Sequence, residues 1–174
     1  MTDQTLFHTR HLIQGEFFIT DDPTVVVSTL LGSCVAACFR DPMLGIGGMN
    51  HFLLPGHDPG VSTSIRYGAH AMEQLINGLL RRGAQRHRLE VWLLGGANVL
   101  NGMTRIGDAN ARFAQDFALE EGFRTRGTDL GGRLGRKVRF HPVSGKVEVA
   151  PLASPVPEKP PYPTPAKGGE IELF

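Results

Sequence analysis

A chain of 174 residues, 41% hydrophobic and 20% charged with a net charge of +1, has the makeup of one soluble domain with a single core. It has no apolar run of the roughly 18 residues that a membrane helix needs, and its start, MTDQTLFHTRHLIQGEFF, lacks a signal-peptide stretch, so a cytoplasmic protein is expected. Two cysteines, Cys34 and Cys38, cannot make a disulfide framework, and four extended residues span ~13 Å, too far for them to bridge each other.

In chain order, Val25 to Leu31, Val35 to Arg40 and Ile46 to Leu54 are β-branched or apolar runs, broken by Gly32-Ser33 and Asp41-Pro42. They predict three strands with turns between them. From Ser62 or Ser64, the residues Ile65, Ala69, Met72, Leu75, Ile76, Leu79 and Leu80 recur at helical spacing, with Gly83 as the C-terminal stop. Leu89 to Leu94 reads as a buried strand ended by Gly95-Gly96. A second helix is expected from Asp108 as its cap to Glu121 before Gly122. Short strands follow over Phe123 to Thr125, Lys137 to His141 and Lys146 to Val149, with a hairpin turn at His141 to Gly145.

Strands and helices segregate rather than alternate, which predicts an α+β fold. Residues 1–150 form the expected domain. Residues 151–174 hold seven of the 12 prolines and read as an extended arm whose apolar end, Ile171, Leu173 and Phe174, could dock on the domain or on a partner.

Charge is unevenly spread. Residues 1–80 carry 3 basic and 7 acidic side chains, whereas residues 81–150 carry 13 and 7. Most of the excess is Arg, which could present a face to an acidic protein partner. Nucleic acid is disfavoured, because aromatics do not interleave the basic residues and no reader motif occurs.

The chemistry centres on Cys34 and His51. A thiol is nucleophilic as the thiolate, and an imidazole can take its proton and return it to a leaving group. Gly32 permits a sharp turn before the thiol, and Ser33-Cys34 could aim backbone N–H groups at an oxyanion. A cysteine on an apolar strand is by itself more often core, a description that suits Cys38, between Ala37 and Phe39, better than Cys34. Alternation puts Met49, His51 and Leu53 on one face, so a buried His51 needs either a satisfied hydrogen bond or a catalytic partner. A hydroxyl at Ser28 or Thr29, on the strand entering the turn, could orient the imidazole or bind substrate. Strict alternation points the two to opposite faces, and the sequence does not choose between them.

Other chemistries lack support. GIGGMN, LLGGANVLNG and DLGGRLGR match neither GxGxxG nor GxxxxGK[ST], so no nucleotide cofactor is expected. His8, His11 and the cysteines have no zinc-site spacing, and no GxSxG elbow exists.

Five ordered blocks, LGSCVAACFRDP at 31–42, GIGGMNHFLLP at 45–55, GGA at 95–97, IGDAN at 106–110 and DLGGRLGRKVRF at 129–140, resemble the CheD chemoreceptor glutamine deamidases over most of residues 12–150. The resemblance implies a layered sandwich of mixed β-sheet flanked by helices, like the cytotoxic necrotizing factor scaffold. It implies Cys34 as nucleophile and His51 as general base, at the family's separation. The family's third residue is a Thr six positions before the Cys, a register that holds Ser28 here, with Thr29 next. The family block IGxRN reads IGDAN. Chemoreceptor cytoplasmic domains would be the protein substrate, a CheC-like phosphatase a further partner, and a monomer the expected state. The rival expectation is a receptor- or CheC-binding adaptor with little turnover; a toxin-like deamidase on the same scaffold is disfavoured by the blocks beyond the catalytic pair.

Overall fold

The computed structural model describes residues 5–54, 61–99 and 105–154. Most of the Pro-rich arm lies outside these residues. Among those described, the strands are β1 (His8–His11), β2 (Phe17–Thr20), β3 (Val25–Leu31), β4 (Val35–Asp41), β5 (Ile46–Asn50), β6 (Glu90–Gly95), β7 (Arg124–Leu130), β8 (Arg136–Phe140) and β9 (Val147–Pro151); the α-helices are α1 (Val61–Arg81) and α2 (Ile106–Glu120).

The strands form two mixed sheets. One has the order β1-β3-β8-β9 and the other β2-β5-β4-β6-β7. β1 runs parallel to β3 and β6 parallel to β7, while the remaining pairs are antiparallel. β4 explains the layering. Val35, Ala37 and Phe39 on one of its faces join Met72, Leu75, Ile76 and Leu79 of α1 and Ala114 and Ala118 of α2. Cys34, just before β4, with Ala36 and Cys38 on the other face, joins Val27 and Leu31 of β3 and Val138 and Phe140 of β8. The molecule is therefore an α+β sandwich with one core between the sheets and another under the helices, and β4 is buried on both sides.

β3 belongs to the first sheet and β4 to the second, so the chain crosses between sheets at Gly32–Cys34. This crossing positions the site. It is reinforced from below by β5, whose residue Asn50 is buried and accepts from Ala37 N (2.9 Å) while donating toward Ala71 O of α1 (3.3 Å).

Some expectations need correction: β5 stops at Asn50, short of the expected Leu54, and β7 runs over Arg124–Leu130, beyond the expected Phe123 to Thr125. Ile65 was placed on the apolar stripe of α1 but is exposed. Asp108 does not cap α2: the helix starts at Ile106, and Asp108 sits in its first turn, where its charge suits the helix dipole and its Oδ1 accepts from Asn98 Nδ2 (2.8 Å). Most arginines of the second half are exposed, while Arg88 and Arg136 are mostly buried and paired with Asp41 and Asp129, and exposed Arg86 pairs with Glu121. The expected helix stop stands: Gly83 adopts φ +99°, and Ala84 N donates back to Leu79 O (3.1 Å). The hairpin turn also stands, closed by Gly145 N donating to His141 O (2.8 Å).

Candidate active site

The turn before Cys34 is held by its carbonyls. Gly32 O accepts from Ala97 N (3.0 Å), Ser33 O from Asn110 Nδ2 (2.8 Å) and Cys34 O from Gly96 N (2.8 Å). Three successive peptide groups are thereby drawn toward the end of β6 and the start of α2. Val35 then enters β4 by exchanging two hydrogen bonds with Phe52, at 3.0 and 2.9 Å.

That exchange sets the thiol and the imidazole on one face. Val35 stands opposite Phe52 and Cys38 opposite Met49, so the same register sets His51 opposite Ala36. Cys34 and His51 are then diagonal neighbours on one face, a relation with Cα atoms roughly 7–8 Å apart and within reach of long side chains. Both are nearly enclosed, Cys34 at 4% and His51 at 6% exposure.

His51 is oriented by Thr29. Thr29 Oγ1 lies 2.7 Å from His51 Nδ1 and donates to Leu12 O at 2.8 Å. A hydroxyl has one proton, and a carbonyl can only accept, so that proton is committed to Leu12. Toward the ring the hydroxyl must accept, which puts the imidazole proton on Nδ1 and leaves the Nε2 lone pair available. The main chain of His51 is clamped as well: Gly15 N donates to His51 O (2.8 Å) and His51 N to Glu16 O (3.0 Å). Burial lowers the His51 pKa to about 4, against a smaller upward pull from the Glu16 carboxylate. The ring is neutral at pH 7.

Of the two hydroxyls left open, Thr29 touches the ring. It shares its strand face with Val27 and Leu31, which point into the core between the sheets. Ser28, one residue earlier, points to the opposite face and pairs across the sheet with Arg139. Cys38 is fully buried in that same core, and burial pushes its thiol pKa well up.

Several residues that support the site were not singled out from the sequence. Asn110, fully buried on α2, holds Ser33 O with its Nδ2 and accepts from Leu54 N with its Oδ1 (2.8 Å), tying the turn before the thiol to the segment after the imidazole. It is the last residue of the IGDAN block, which the family resemblance already includes. Gly95 adopts φ +110°, and a Cβ there would overlap the Cys34 carbonyl oxygen. The segment from Leu12 to Glu16 gave no periodic signal at all, yet it supplies the acceptor for Thr29 and both clamps on His51.

The fold and these contacts define an α+β sandwich with a Cys-His-Thr constellation at its sheet-to-sheet crossing. The chain belongs to the CheD family: the family model described as CheD chemotactic sensory transduction matches residues 53–151. Among similar proteins, one from Jannaschia sp. (strain CCS1) is 55% identical over 80% of this chain and 79% of its own, and one from Rhizobium meliloti (strain 1021) is 47% identical over 94% of each chain. One from Caulobacter vibrioides (strain NA1000 / CB15N) is 47% identical over 94% of this chain and 92% of its own. Each carries the name "Probable chemoreceptor glutamine deamidase CheD". A span of 94% of this chain necessarily includes Cys34 and His51.

Proposed function

We propose that this protein deamidates glutamine side chains on the cytoplasmic domains of chemoreceptors, with Cys34 as nucleophile, His51 as general base and acid, and Thr29 as the residue that orients His51. The observation that carries this reading is the Leu12–Thr29–His51 chain of hydrogen bonds, which leaves His51 Nε2 as a proton acceptor on the face it shares with the Cys34 thiol. The names of the relatives support the substrate.

His51 Nε2 takes the Cys34 proton, and the thiolate attacks the substrate's carboxamide carbon, forming a C–S bond and an oxyanion. The backbone amides of the Gly32–Cys34 turn are the donors we assign to that oxyanion. The imidazolium returns its proton to the nitrogen as the C–N bond breaks, and ammonia leaves a thioester. His51 then takes a proton from water, the resulting hydroxide attacks, the C–S bond breaks, and the sulfur recovers a proton. Glutamate remains on the receptor and the enzyme is regenerated.

The test is incubation with purified receptor cytoplasmic fragments, read by mass spectrometry for carboxamide-to-carboxylate conversion at individual glutamines. Cys34→Ala should abolish conversion, and His51→Ala should slow it by ~10²- to 10⁴-fold. If the wild type converts no fragment while Cys34→Ala still binds one, the protein is an adaptor and the proposal fails.

A further inference from the structure

Gln14 lies in the segment between β1 and β2, half-buried, and its Oε1 accepts from the Cys34 thiol across 3.7 Å. The group resting on this thiol is a primary carboxamide, the same group that the proposed reaction consumes. We propose that the Gln14 side chain is a resident stand-in for the substrate's glutamine, covering Cys34 until a protein substrate displaces it. The inference rests on the deamidase reading of Cys34.

The contact shields the thiol without being consumed by it. The carboxamide turns its oxygen to the sulfur as a hydrogen-bond acceptor, whereas attack requires the carbon at about 3–3.5 Å and aligned with the sulfur lone pair. A thiol is a weak donor, so the bond that holds Gln14 in place is weak and can be exchanged. The neighbouring backbone is firm: Leu12 O holds Thr29, and Gly15 N and Glu16 O hold His51. Gln14 can therefore swing aside about its own side-chain torsions while the residues around it keep the base in place. The low pKa of buried His51 keeps the imidazole beside this contact uncharged.

A tethered carboxamide competes at an effective concentration on the order of millimolar or more, which a small amide in solution does not match. A glutamine carried on a protein brings the binding energy of the surrounding surface and can displace it. Gln14 thereby raises the apparent KM of every substrate by the same factor, and the binding energy of a protein surface is what lets a substrate still reach the thiol.

The test is alkylation of Cys34 by iodoacetamide in the full-length protein, followed peptide by peptide with buried Cys38 as internal reference. Gln14→Ala should raise the Cys34 rate severalfold over the wild type. Gln14→Met, which keeps the length but not the carboxamide, should also raise it. With a receptor fragment, Gln14→Ala should raise kcat/KM through KM, and it should raise kcat/KM for a short glutaminyl peptide by a similar factor. Equal alkylation rates in wild type and Gln14→Ala, or a Met variant as slow as the wild type, would overturn the inference. Faster alkylation with no deamidation by either protein would retain the cover and discard the deamidase reading. Deamidation by both with unchanged alkylation and KM would do the reverse.

Discussion

Thr29 shows how one hydroxyl can decide what an imidazole does. Its proton goes to Leu12 O, so His51 Nδ1 keeps its own proton and the Nε2 lone pair is left available for the base role proposed for it. In the proposed mechanism His51 becomes charged, and its Nδ1–H bond to Thr29 is then charge-assisted and contributes about 1.5–3 kcal/mol. Thr29→Val keeps the shape and removes the acceptor; the expected loss in kcat is roughly 10- to 100-fold. Thr29→Ser should restore most of it, and Ser28→Ala should leave kcat within about twofold, since Ser28 faces away. Equal losses from Ser28→Ala and Thr29→Val, measured on the same receptor fragment, would remove this assignment. The sequence left the pair open for a physical reason. Val26, Ser28 and Leu30 alternate with Val27, Thr29 and Leu31, and a strand this apolar on both faces carries no period-2 signal to say which face meets the base.

At the scale of elements, the strands that were legible are those whose side chains fill the two cores. β3, β4 and β6 are β-branched or apolar runs with turn residues at their ends, and they appear where the pattern puts them. β1 and β2 were not legible. The four residues of β1, HTRH, are all exposed, and they form a strand because their backbone pairs with β3, which leaves no mark in hydrophobicity. The segment that joins these two strands carries Gln14 and the clamps on His51, so the least legible part of the domain holds half of the site's support. Gly95 is another such support. Its left-handed backbone and its close approach to the Cys34 carbonyl both exclude a side chain. Gly95→Ala should cost ~1–3 kcal/mol of stability in urea melts and lower deamidation further than the stability loss alone explains. A fully active Gly95→Ala protein would mean that the turn tolerates displacement. Asn110→Leu tests the same turn from the α2 side: the Ser33 carbonyl and the Leu54 amide both lose a buried partner, so destabilisation of about 2–4 kcal/mol is expected in the same melts.

For the whole molecule, two buried ionisable groups set how the sandwich responds to acid. Asp41, at the end of β4, would have its pKa raised by burial, but hydrogen bonds from Arg88 and from the backbone N–H groups of Gln85 and Leu44, with the Arg88 charge, outweigh that and hold it at about 2. Its unfolded value is 3.8, so it contributes stability that is full above that pH and is lost as pH falls toward 2. His51 has its pKa lowered from 6.5 to about 4. Between those values the unfolded chain holds a proton that the folded one rejects, so stability is full above pH 6.5 and falls as pH drops to 4. At about 1.4 kcal/mol per unit, the His51 step is on the order of 3 kcal/mol and the Asp41 step on the order of 2 kcal/mol. Urea melts from pH 7.5 to 3 should therefore show the decline beginning near neutrality, well above the carboxylate range. His51→Gln should remove the upper step and leave the lower one. Asp41→Asn should cost about 3–5 kcal/mol already at pH 7, because it strands the buried Arg88 guanidinium that ties the β4 end to the chain entering β6. A stability flat from pH 7 to 5 in the wild type would mean that His51 accepts a proton in the folded state, and the base would then be partly charged at rest. In that case the closed site would hold an imidazolium beside the thiol, and the pH profile of Cys34 alkylation should follow its titration.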